Sequence, residues 1–164
     1  MPRPITVLIV DDSRIFRGVA ERALARIPDV TVVGTARNGR KAIDFLKAAP
    51  RPDVITLDVE MDEMDGHETL REIRKLYSDE EFAKTATIMV SAITTHGARV
   101  TVDALELGAY DFVTKPRGDN VEESVAELRG NLERIIGGFV AANEGAAGVA
   151  PSKRLATTER REET

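Results

Sequence analysis

Apolar residues in this chain cluster in short unbroken runs, and most of these runs end on a reactive polar group. Ile5-Thr6-Val7-Leu8-Ile9-Val10 leads into Asp11-Asp12, and Val54-Ile55-Thr56-Leu57 into Asp58. Ile88-Met89-Val90 stops at Ser91, and Phe112-Val113-Thr114 stops at Lys115-Pro116. A further run, Val30-Thr31-Val32-Val33, ends at Gly34 and carries no such group. Runs that are continuous rather than alternating, and rich in Val and Ile, predict strands buried on both faces of a parallel sheet. Between the runs the period becomes helical. Phe16, Val19, Ala20, Ala23, Leu24 and Ile27 form one apolar face, with Ser13 placed to cap that helix and Pro28 to end it.

The same alternation repeats along the chain. Asn38-Gly39 opens a helix around Ala42, Ile43 and Leu46, stopped by Pro50, and Gly66 opens another through Leu70, Ile73 and Leu76 or Tyr77. A fourth runs from about Gly97 through Val100, Ala104, Leu105 and Leu107 to Gly108, and a fifth carries Val121, Val125, Leu128, Leu132 and Ile135. Strand followed by helix, five times over, predicts an α/β fold: a (βα)5 doubly wound, five-stranded parallel sheet in a three-layer sandwich. No stretch of sequence repeats itself. From Gly137 the amphipathic spacing lapses, and Ser152 to Thr164 is almost wholly polar. The expected organisation is a folded domain over residues 1–136 and a flexible linker or tail over 137–164.

In an open parallel sheet the strand C-termini share one edge, where ligands bind. Asp11, Asp12, Asp58, Ser91 and Lys115 should therefore converge. Asp11 and Asp12 could simply cap the first helix, and Ser91 or Lys115 alone would be unremarkable. Asp58 at a second strand end changes the balance, because gathered carboxylates repel strongly unless a cation neutralises them. An all-oxygen donor set without His or Cys suits a hard ion, magnesium better than a calcium cage. With that ion bound, Asp58 could attack a phosphoryl donor as nucleophile, while Lys115 balances charge and Ser91 offers a hydroxyl to a phosphoryl oxygen.

Composition narrows the partners. The 23 Lys and Arg against 28 Asp and Glu leave a net charge of −5, which argues against nucleic acid. There is no cysteine, so disulfides, thiolate metal sites and Cys nucleophiles are excluded. No apolar stretch approaches the roughly 20 residues needed to span a bilayer. A soluble cytoplasmic protein with no membrane partner is expected.

These residues carry a resemblance. Val-Leu-Ile-Val-Asp11-Asp12-Ser, Asp58-Val-Glu60-Met-Asp-Glu-Met64-Asp65-Gly66, Met-Val-Ser91-Ala92 and Asp-Phe112-Val-Thr-Lys115-Pro116 resemble the ordered motifs of a response-regulator receiver domain of two-component signalling. The resemblance implies a flavodoxin-like fold, Asp58 as phosphoacceptor, and Mg2+ held by Asp11, Asp12, Asp58 and the backbone carbonyl of Glu60. It further implies Ser91 and Phe112 as switch residues, Lys115 as phosphate sensor, and a cis bond before Pro116. A histidine kinase would be the phosphodonor, and Ser91 would move inward on phosphorylation as Phe112 rotates. Val-Val-Gly-Thr-Ala-Arg-Asn-Gly and Ala-Leu-Glu-Leu-Gly-Ala-Tyr-Asp-Phe resemble, more narrowly, the receiver half of the chemotaxis methylesterase response regulators.

No Gly-x-Ser-x-Gly elbow of an esterase is present. The output is then a missing C-terminal effector domain or, for a stand-alone regulator, a downstream protein; monomer or weak dimer is expected. Two departures stand out: Asp62 where the family has Pro, and a longer segment from Leu76 to Thr85. Glu60 is expected near the pocket mouth, affecting how water reaches the phosphoryl group. His67 and His96 are expected to be exposed and without a role. An aspartate-nucleophile phosphohydrolase would want Asp at position 60. A calcium loop would want Gly at position 63. A receiver serving only as an interaction module fits less well with every key residue in place.

Overall fold

The computed structural model describes residues 3–92 and 95–145. The elements are β1 (Ile5–Val10), α1 (Arg14–Ala25), β2 (Val30–Ala36), α2 (Gly39–Ala48), β3 (Val54–Asp58) and α3 (Gly66–Leu76). They continue as α4 (Asp79–Ala83), β4 (Ala86–Ser91), α5 (Thr95–Glu106), β5 (Asp111–Thr114) and α6 (Val121–Gly145). The five strands form one parallel sheet in the order β2-β1-β3-β4-β5. Neighbouring strand residues point to opposite faces. Val7, Ile9, Ile88 and Val90 pack against α1 and α6, whereas Leu8, Val10, Leu57 and Met89 pack under α2, α3 and α5. Two apolar layers therefore clamp the sheet, and both faces of β1, β3 and β4 are buried as their continuous runs require.

Local chemistry fixes the helix starts. The Ser13 hydroxyl accepts from the Phe16 amide (3.2 Å) and Asn38 Oδ1 from the Lys41 amide (2.8 Å). Asp65 Oδ1 does the same for the Glu68 amide at 2.9 Å. Each satisfies one of the free amides of a first turn.

Three features depart from expectation. First, β2 is an edge strand whose residues alternate between half-buried and exposed, with Ala36 alone fully buried; Val33 is 41 % exposed. Val7 pairs with Val32 and Leu8 with Gly34, so Val33 is bulged out of the ladder. Second, α4 is an additional short helix, nucleated by a reciprocal capping box between Ser78 and Glu81. Arg74 stacks over the Phe82 ring at 5.1 Å and donates to the Leu107 carbonyl at 2.6 Å, tying this insertion to the end of α5.

Third, α6 continues to Gly145, so the domain boundary expected at residue 136 falls inside a helix. The spacing does not lapse at Gly137-Gly138. Phe139 and Val140 extend the stripe begun by Leu132, Ile135 and Ile136, and Phe139 meets Tyr110 edge-on at 5.1 Å. Residues 146–164, the rest of the expected tail, lie outside the described residues. The end of α6 borders a cleft of about 460 Å³ with Ile5, Pro28 and Val30, at the pole where β1 and β2 begin. Phe139 is 4 % exposed, so Phe139→Ala should cost roughly 3–5 kcal/mol in chemical denaturation. A cost near zero would show that the last turns of α6 lie outside the cooperative unit.

Candidate functional site at the carboxyl edge of the sheet

β1 delivers Asp11 and Asp12, and β3 delivers Asp58 from the adjacent strand. Asp11 is 1 % and Asp58 3 % exposed, while Asp12 is open to solvent. Asp11 Oδ1 accepts from the Ser13 amide at 2.8 Å, and Asp58 Oδ1 from the Glu60 amide at 3.2 Å. One oxygen from each of the three carboxylates lies within 4.8 Å of the others, an arrangement that could hold a metal ion. The second oxygens of Asp11 and Asp58 are buried and, apart from the shared Lys115 ammonium at 3.1 and 3.5 Å, have no hydrogen-bond partner. Buried carboxylate oxygens that share a single donor remain under-satisfied, which is costly. The site therefore fits a hard divalent cation, which would meet both.

β5 brings in the opposite charge. Lys115 Nζ lies 3.1 Å from Asp11 Oδ2 and 3.5 Å from Asp58 Oδ2, 4.8 Å above the Phe16 ring. One ammonium does not balance three carboxylates. Burial, and then the Asp11 charge, push the Asp58 carboxyl up to about 7, against the pull of Lys115 and the Glu60 amide. Burial likewise raises Asp11, opposed by the Ser13 amide and by Lys115. At Lys115 burial acts to lower the pKa, but the charges of Asp11 and Asp58 outweigh it and hold the ammonium above its ordinary value.

Ser91 closes β4, one residue beyond the Asp58–Val90 pair, and is 4 % exposed. Its hydroxyl contacts Thr101 on α5 at 3.2 Å. Phe112 stands apart from the carboxylates. It is 43 % exposed on β5, opposite Met89, and points to solvent rather than to the interior. The bond before Pro116 is trans, since no peptide among the described residues is cis. That corrects the expected cis bond. Trans is the lower-energy isomer by about 0.5–1 kcal/mol. The ladder bond from the Lys115 amide to the Ser91 carbonyl, 2.8 Å, already directs the ammonium inward.

Beside the carboxylates lies an acidic cleft of about 450 Å³, lined by Asp12, Glu60, Asp62, Asp65, His67 and Val100 among others. Glu60 itself is exposed there. His67 is half-buried and its Nε2 is enclosed without a hydrogen-bond partner, contrary to the exposure expected of it. Val100 of α5 lines the same cleft. The side chain of His96 lies outside the described residues. Two contributors were not singled out from sequence: Phe16, whose ring faces Lys115, and Arg17, which donates to the Asp11 carbonyl at 2.8 Å. Both sit on an ordinary amphipathic helix, and nothing in its spacing marks them.

A doubly wound parallel sheet with three carboxylates and a lysine at its carboxyl edge defines a receiver-type signalling domain. The chain belongs to the response regulator receiver domain family, whose model matches residues 7–126. It is 41 % identical over 132 residues to a protein-glutamate methylesterase/protein-glutamine glutaminase of Desulfitobacterium hafniense, covering 80 % of this chain and 32 % of that protein. The chain thus spans about a third of that relative's length. Among solved structures it is similar to the response regulator domain of CheB from Thermotoga maritima, with 40 % identity and a TM-score of 0.66 over 84 % of this chain and 97 % of that one. It is also similar to a chain from the complex of the CheA3 P1 domain with CheY6 of R. sphaeroides, at 33 % identity and TM-score 0.64, covering 83 % and 99 %. It is a receiver domain homologous to the regulatory domain of CheB. Among the described residues no helix is long and apolar enough to cross a membrane.

Proposed function

We propose that this chain accepts a phosphoryl group on Asp58 from the phosphohistidine of a histidine kinase, and that Asp11, Asp12, Asp58 and the Glu60 carbonyl hold Mg2+ for the transfer. The observation that carries this reading is the cluster itself: three carboxylate oxygens within 4.8 Å, two of the carboxylates buried, with one ammonium between them. An Asp58 carboxylate oxygen attacks phosphorus, the P–N bond to the donor imidazole breaks, and an acyl phosphate forms. Attack needs the ionised carboxylate, which the Lys115 ammonium favours. Mg2+, when bound, supplies charge neutralisation for the carboxylates and the phosphoryl oxygens. Lys115 then pairs with the new phosphoryl oxygens. Hydrolysis by water returns the carboxylate and inorganic phosphate.

On this reading the chain works in the cytoplasm, with a kinase as donor and neither nucleic acid nor membrane as ligand. The resemblance to methylesterase relatives supports a role as the regulatory domain of a chemotaxis methylesterase. In that role phosphorylation alters the face formed by α5, β5 and α6, and Phe112, Val102 and Val121 are exposed there for a partner or effector. The test is incubation of the full chain with Mg2+ and acetyl phosphate, followed by intact mass. Wild type should gain one labile phosphoryl group and Asp58→Asn none. Equal labelling of both, or of neither, would overturn the assignment of Asp58.

A further inference from the structure

Ser91 and Thr101 form a buried hydroxyl pair across β4 and α5, 4 % and 3 % exposed. Thr101 Oγ1 lies 3.2 Å from Ser91 Oγ and 2.8 Å from the carbonyl oxygen of Gly97, one turn earlier in its own helix. A hydroxyl has one proton to give, and a carbonyl can only accept. Both contacts are hydrogen bonds in one arrangement alone: Thr101 donates to Gly97, and Ser91 donates to Thr101. The Ser91 proton is therefore committed to α5. Meanwhile Asp58 Oδ2, on the next strand, is buried with the Lys115 ammonium 3.5 Å away and no other hydrogen-bond partner.

We propose that Thr101 is a positioning residue that holds the Ser91 hydroxyl on α5 in the resting state, and so sets how readily the chain enters its phosphorylated conformation. This rests on Asp58 as phosphoacceptor and deepens it by naming the competitor for the Ser91 proton. When a phosphoryl group arrives on Asp58, its oxygens compete with Thr101 Oγ1 for the same donor. The bond to Gly97 is internal to α5 and is kept in both states, so its loss on substitution cancels. The bond between Ser91 and Thr101 exists only at rest. Removing the Thr101 hydroxyl with the nearly isosteric Thr101→Val weakens the resting state alone.

The probe is beryllofluoride, a phosphoryl analogue, titrated into the full chain with Mg2+ by calorimetry. Thr101→Val should tighten binding on the order of fivefold, the worth of one net hydrogen bond. Thr101→Ser should restore wild-type affinity, and Thr101→Val made on a Ser91→Ala background should change nothing. A core defect would not show this dependence on Ser91. Unchanged or weaker binding by Thr101→Val, or the same tightening without the Ser91 hydroxyl, overturns the proposal. Should Thr101→Val fail to fold by circular dichroism, the wild-type Thr101 methyl resonance decides instead. It must move when the analogue binds, and a stationary signal overturns the role. A wild type that binds no beryllofluoride sinks the phosphoacceptor reading along with this one. Binding that is insensitive to Thr101 sinks this one alone.

Discussion

In chelator at neutral pH, Asp58→Asn should be more stable than the wild type by roughly 2–4 kcal/mol. The wild type buries Asp11 and Asp58 together against a single ammonium, and both carboxyls are held above their ordinary range. A carboxyl whose folded pKa exceeds its unfolded value binds its proton more tightly when folded. Its contribution is fully present below the unfolded value, near about pH 4. It is lost as pH rises toward the folded value of about 7 for Asp58. The amide can still accept from the Glu60 amide but carries no charge, so the neutral-pH penalty disappears. Adding Mg2+ should reverse the order, because the ion neutralises the wild-type cluster more completely than the variant's. Calorimetric melts from pH 4 to about pH 8, with and without Mg2+, would check this. A variant no more stable than wild type in chelator would show that the cluster is not strained by its own charge.

Gly66→Ala should damage both stability and phosphoryl acceptance. The Gly66 amide donates to the Val59 carbonyl at 2.9 Å, closing the loop after β3. A Cβ there would sit 2.5 Å from the Asp58 carbonyl oxygen and 2.8 Å from Val59 Cα. Those are backbone atoms, so the strain cannot be relieved by turning a side chain. Overpacking of this kind costs typically about 1–3 kcal/mol. The backbone that must yield carries Asp58 itself, and a displacement of about 1 Å at a reacting group can cost on the order of a hundredfold in rate. Gly18 in α1 is the control, because a Cβ there meets nothing within 4 Å. Gly18→Ala should be neutral or slightly stabilising in denaturant titration. Labelling of Gly66→Ala by acetyl phosphate at the wild-type rate would refute the prediction.

Much of this was legible because strand ends and chemistry coincide. Continuous runs stopping at Asp11, Asp58, Ser91 and Lys115 revealed the sheet and its reactive edge in the same stroke, and Ser13 and Asn38 marked their helix starts through capping chemistry. What was hidden depended on neighbours. The run from Val30 to Val33 has the composition of a central strand, and only its place at the sheet margin makes alternate residues exposed. The stretch from Gly137 suggests a break because its small residues blur the apolar spacing, yet Phe139 packing on Tyr110 carries the helix through the two glycines despite their weak helix preference. The capping box at Ser78 and Glu81 was present in the sequence, within a segment recognised only as long. Thr101 and Phe16 acquire their roles solely from what lies across from them.

The length of α6 bears on how a signal leaves the domain. Its 25 residues span roughly 37 Å at the ordinary helical rise. It starts on the side of the carboxylate edge, after β5, and finishes against Ile5, Pro28 and Val30 at the far pole. A segment joined beyond Gly145 would therefore leave the domain at the pole opposite the carboxylate edge. An effector attached at that end would start remote from Asp58, and to touch the proposed α5, β5 and α6 face it would have to fold back along the domain, so the join would serve as a leash rather than a lever.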